Sequence, residues 1–175
     1  MPDHNASLET QRVTALVHYV IAKTDPGKLG YVKLNLILWY SDLEHNRWHG
    51  ASITGLRHYT RTLQGPTAKE ILPAVRRLVK DGKVEERTVK VKDYARREML
   101  SLDEPDVSML TAEQIDILDQ IIKFIAPLTA SQLTRLTHDD PLWQELENNK
   151  PMPVATGSVM TRLPSSAVKR PPKPK

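Results

Sequence analysis

The chain has no cysteine among its 175 residues. That excludes disulfides and cysteine-ligated zinc, and fits a reducing, cytoplasmic setting. No run of 18 apolar residues occurs, so no transmembrane helix and no membrane association are expected. The opening MPDHNASLET lacks a basic region followed by an apolar stretch, so no secretory signal is expected either. A glycine-rich phosphate loop is missing: Gly27 and Gly30 have neither the strand–turn–helix setting nor the lysine spacing. Nothing in the sequence calls for a cofactor.

Acidic residues are missing from the stretch 160–175, which holds Arg162, Lys169, Arg170, Lys173 and Lys175. The remaining residues carry 20 basic and 21 acidic side chains, so the body is nearly neutral. The pI of about 9.3 is therefore a property of the tail. Nucleic acid is not expected as a partner, except weakly through that tail.

What is present suits one domain. Hydrophobic residues make up 39% of the chain, enough for a core. A first helix is expected over 8–24, capped by Ser7, with Val13, Leu16, Val17 and Val20 at helical spacing. A second, over 31–49, is apolar on several sides and ends at Gly50. Residues 52–65 read as extended or looped. Pro66 suits the first turn of a third helix over 66–82, in which Pro73 predicts a kink. VEERTVKVKDYARREMLSL (84–102) reads as a β-hairpin turning near Lys92–Ala95.

LTAEQI (110–115) and LTASQL (128–133) are nearly the same text. Each has a threonine N-cap, a glutamine three residues on and flanking apolar residues, which predicts helices from about 112 and 130. His138 falls in the last turn of the second of these. Asp140 before Pro141 reads as the N-cap of another short helix carrying Leu142, Trp143 and Leu146. From 148 onward proline accumulates and periodicity fades. The expected division is a domain over 1–150 and a flexible, Pro/Lys-rich tail over 151–175, its last 15 or so residues disordered. The fold class is mainly α: a compact helical domain with a small β-hairpin, winged-helix-like element and a disordered C-terminal tail.

Candidate chemistry is thin. His45 and His49 share a helix face, but Asn46 stands where a zinc protease carries its glutamate base. A hydrogen-bonded helix end is the expectation, and no metal. His138, Asp139 and Asp140 could form an acid–base cluster, yet adjacent carboxylates diverge and no nucleophile motif accompanies them. No catalytic residue is assigned. Trp39, Tyr40, Trp48 and Tyr59 suit core packing or an interface anchor. The hairpin's Arg87, Lys90, Lys92, Arg96 and Arg97 are offset by Glu85, Glu86, Asp93 and Glu98, which favours a solvated hairpin over a DNA wing.

Taken in order, several stretches resemble the Panacea domain, or SocA-like antitoxin domain. They are Lys33-Leu34, the run Leu38 to His45, Gly50 with Ile53, and Gly65-Pro66. Leu78 with Asp81-Gly82, and Leu133, Leu136-Thr137-His138, Pro141 and Trp143, complete the set over roughly residues 10–147. The resemblance implies a mainly helical fold and the antitoxin half of a type II-like toxin–antitoxin pair of bacteria, phages or prophages. It implies neutralisation by direct protein binding, and no enzyme. Gly65, Pro66, His138 and Trp143 are its structural motif positions. The toxin-binding surface is expected around Arg47, Trp48, Arg57, His58, Tyr59 and Arg61, and on the tail. A homo-oligomer stays open. Three other functions are kept: a winged-helix-like DNA-binding regulator, a proteolytic adaptor for a bound partner, and a metal-dependent hydrolase using His45, His49 and His138.

Overall fold

A computed structural model describes residues 7–164 and 167–169. Among these the chain forms seven helices, a three-stranded antiparallel sheet and a separate hairpin. Helix α1 spans Leu8–Lys23 and α2 spans Tyr31–His49. Ser7 caps α1, its hydroxyl accepting the Thr10 N–H at 3.1 Å. Every residue of α2 from Leu34 to His45 is buried, which makes it the central element. Such all-round burial is what its near-continuous apolar text requires.

Around α2 the chain lays β1 (His58–Thr62), β2 (Gly65–Thr67), α3 (Ile71–Lys80) and the hairpin β3 (Val84–Val91) and β4 (Tyr94–Ser101). Then follow α4 (Ala112–Ile125), α5 (Ala130–His138), α6 (Pro141–Glu145), β5 (Pro151–Pro153) and α7 (Val154–Met160). Helices α4 and α7 pack on α2, while α1 packs against α3 and β4. Both expected capping boxes form: Thr111 with Gln114, and Thr129 with Gln132, exchange reciprocal hydrogen bonds. At the end of α3, Lys83 N–H reaches the Leu78 carbonyl and Gly82 N–H the Val79 carbonyl, with Gly82 at φ +72°. This Schellman ending turns the chain directly into β3.

Three expectations change. Pro66 does not open a helix but lies in β2 opposite Arg61. The strand sits at a sheet edge, where a missing N–H is tolerated. Helix α3 starts only at Ile71, so Pro73 falls in its first turn and produces no kink. The third change is the largest. Residues 151–164, expected in the flexible tail, belong to the fold. Strand β5 pairs with β1, Tyr59 facing Met152, and Met152 and Val154 are buried. Helix α7 lies so close to α2 that a Cβ on Gly157 would come within 2.7 Å of Leu43 and 3.0 Å of Trp39. Ala167 and Val168 are also buried, and Lys169 N–H donates to Gln120 Oε1 at 2.7 Å. The rest of the expected tail, residues 165–166 and 170–175, lies outside the described residues.

Candidate interaction surface

The stretch 47–64 links the end of α2 to the first sheet, and the six expected contact residues separate within it. Strand alternation turns Tyr59 inward, where it is 0% exposed. Its ring meets Trp39 edge-on at 5.1 Å, and its hydroxyl donates to Asp42 Oδ2 at 2.9 Å. Tyr59 is a core residue and cannot touch a partner.

Arg47 is engaged within the chain. Its guanidinium pairs with Glu44 and donates to the carbonyls of Ser158 (2.9 Å from Nε) and Thr161. A cation on the last turn of α2 thus clamps the chain after β5, with Asn46 Oδ1 accepting from Ser158 Oγ at 3.0 Å. Arg61 is engaged too. It donates to the Leu146 carbonyl and lies 4.2 Å above the Trp143 ring, a cation–π contact. Trp143 in turn stacks on His138 at 5.4 Å. Trp48, at 36%, is partly exposed, and Arg57 and His58 are exposed. Leu63, in the β1–β2 turn, is 86% exposed and adds an apolar contact that the sequence patch did not include.

The family-motif positions are structural. Gly65 needs glycine because its φ is +114°. Pro66 is buried in β2, and His138 and Trp143 form the stack described above.

His138, Asp139 and Asp140 diverge. Asp139 closes α5, its N–H donating to the Arg135 carbonyl. Asp140 is the N-cap of α6: one oxygen accepts the Leu142 N–H at 2.9 Å, and Thr161 Oγ1 donates to the same carboxylate at 2.7 Å. His45 and His49 do share a face, their rings 4.6 Å apart. His45 Nδ1 lies 2.6 Å from the Ala51 carbonyl oxygen, and His49 Nε2 lies 3.0 Å from Glu113. Burial holds the His45 pKa below its ordinary value. The structure brings His138 to Trp143 and not to this pair. Among the described residues no group of three or more potential ligands could hold a metal ion.

The carboxylate at the centre of this region is one that sequence reasoning missed. Asp42 is fully buried and accepts the Thr54 N–H at 3.0 Å, the Thr54 hydroxyl at 2.6 Å and the Tyr59 hydroxyl. No cation among the described residues pairs with it, and burial pushes its pKa up to about 6. It ties α2 to β1 and to the loop between them. The only available signal was an acid within the largely apolar stretch Leu34–Leu43 of α2.

The family model of the SocA-like antitoxin, Panacea domain, matches residues 34–144, well over half of the chain. Comparison with curated proteins and with solved structures found no match. The matched stretch runs from the start of the buried face of α2 to the Trp143 stack. It leaves out α1, β5 and α7.

Proposed function

From the premise that the chain belongs to the SocA-like antitoxin family, we propose that it is an antitoxin that binds a protein toxin encoded beside it and holds that toxin inactive. The carrying observation is the family match over 34–144. The protein acts by binding and not by chemistry. A non-enzymatic role accords with the dispersal of its histidines and carboxylates into helix caps, stacks and core hydrogen bonds. It works in the cytoplasm, where a toxin made from the adjacent gene would be met. Toxin contact falls on the exposed remainder of the 47–64 stretch: Trp48, Arg57, His58 and Leu63. An aromatic and an arginine on such a patch suit a binding hot spot.

Co-expression with the product of the neighbouring gene tests this. Growth arrest by that product alone, with rescue and co-purification in the presence of this chain, is the expected outcome. A harmless or non-binding neighbour would overturn it. Alanine at Trp48, Arg57 and His58 together should weaken the complex at least tenfold, and unchanged affinity would move the interface elsewhere.

A DNA-binding regulator is the second reading, favoured by the hairpin that follows α3. Against it, Arg87 and Arg96 both pair with Glu98, and Arg97 with Glu86. Those cations are already partnered and offer little to phosphate. Salt-dependent operator binding that survives removal of residues 170–175 would support it. A proteolytic adaptor would share the binding step but shorten the partner's lifetime, which a chase experiment reads directly.

A further inference from the structure

A cavity of about 390 Å³ lies between α2, α4, α5 and the chain that follows α7. Most of its exposed wall is apolar, from Phe124, Leu128, Leu136, Pro141, Leu163 and Pro164. That size falls within the range of small-molecule pockets, and mostly apolar walls are their usual lining.

One polar group in the lining is unaccounted for. Tyr40, from the buried face of α2, is 1% exposed, yet its hydroxyl has no hydrogen-bond partner among the described residues. Tyr40 therefore brings to the cavity wall a hydroxyl available to donate to an acceptor placed inside it. Burial, and then the nearby Asp140 carboxylate, push its pKa up. It keeps its proton and acts as a donor. Asp140 itself is occupied by Leu142 N–H and Thr161 Oγ1.

The charges along the lining cancel: Arg135 and Arg162 against Asp139 and Asp140. A ligand with net charge would gain little there. An apolar side chain from a protein partner would fill the cavity but leave the Tyr40 hydroxyl unpaired. We propose that this cavity binds a small neutral molecule, an apolar body carrying one hydrogen-bond acceptor that takes the Tyr40 hydroxyl proton. Because Thr161–Pro164 form one wall, the ligand would tie the C-terminal segment to α4 and α5. The inference stands independently of the antitoxin reading and can fail without it.

The test uses the full chain and two probes, 4-phenyl-2-butanone and butylbenzene, titrated by ligand-observed NMR. The ketone should bind saturably and at least fivefold tighter than the hydrocarbon. Tyr40→Phe should weaken the ketone about five- to tenfold, the worth of one neutral hydrogen bond, and leave butylbenzene unchanged. Leu136→Trp, which fills the cavity, should abolish both while the circular dichroism spectrum stays that of the wild type. No saturable binding of the ketone overturns the proposal. So does binding that both variants leave intact, or a Tyr40→Phe variant that weakens both probes alike. If Tyr40→Phe does not fold, the ketone-to-hydrocarbon ratio and the Leu136→Trp variant decide alone.

Discussion

Asp42 in the core and Glu98 in the hairpin are both buried carboxylates, and the protein treats them in opposite ways. Glu98 sits between two arginines. Arg96 reaches one oxygen at 2.7 Å, and Arg87, directly across the strands, reaches the other at 3.0 Å. Together they hold its pKa below the ordinary carboxylate range. Asp42 has only neutral donors, and burial wins: its pKa rises from 3.8 to about 6. The lesson is that hydrogen bonds from neutral donors do not by themselves offset the burial of an acid. A cation does so far more effectively, because it opposes the loss of hydration directly.

The largest expected effect comes from deleting the uncharged arrangement. Asp42→Ala strands the Thr54 and Tyr59 donors in the core and should cost about 3 kcal/mol or more in chemical denaturation. A loss under 1 kcal/mol would show that the core carboxylate is dispensable. Arg47→Ala removes a clamp rather than a hub. It should cost about 1–2 kcal/mol and raise amide exchange across 154–161 before anywhere else.

Stability against pH then separates the two acids by sign. The folded-state pKa of Asp42 lies above its unfolded value, so between about pH 6 and pH 4 the folded state binds the extra proton. This group therefore favours folding as the pH falls through that window. Glu98 is shifted the other way. Its contribution is present above its ordinary pKa of 4.5 and is lost as the pH drops below it. Asp42→Asn should flatten the wild-type slope between pH 6 and 4, and Glu98→Gln should blunt the acid limb below it. Identical profiles for wild type and Asp42→Asn would erase the contrast.

A smaller probe is Tyr59→Phe, which takes one donor from Asp42. It should cost about 1 kcal/mol and push the Asp42 titration, followed by carboxyl NMR, still higher. The smallest effect belongs to the hairpin turn. Lys92 holds φ +53°, so Lys92→Gly should gain about 0.5 kcal/mol in melting experiments. A loss there would mean that the lysine side chain contributes more than its backbone costs.

Much of the helical frame was legible. The ends of α2, both capping boxes and the Asp140-Pro141 start are local chemistry, written in adjacent residues and readable without knowledge of the fold. The hairpin was legible because its two strands follow each other in the chain. Strand β5 was not, because three residues carry no period and their partner, β1, lies far back in the sequence. Helix α7 was hidden by its composition: Gly157 adds nothing to an apolar stripe, yet it permits the close approach to α2. The contact patch fared worst for a related reason. Tyr59, Arg61 and Arg47 are residue types that serve interfaces and cores equally well. Only the Asp42 hydrogen bond, the Trp143 ring and the 158–161 carbonyls decide which.

The pairing of Tyr59 with Met152 also sets a clock on synthesis. About 90 residues separate the two strands. At ribosomal rates of roughly 5–20 residues per second, β1 waits on the order of 5–20 s for its second neighbour. Throughout that interval the newborn chain displays an open strand edge and an α2 face that α7 has not yet covered. When β5 arrives it carries Pro151 and Pro153, neither of which has an N–H to offer a further strand. This late-emerging strand is thus the one that makes the sheet unreceptive to strangers, and ribosomes that stall before residue 151 would release a stickier molecule than one in which β5 has paired.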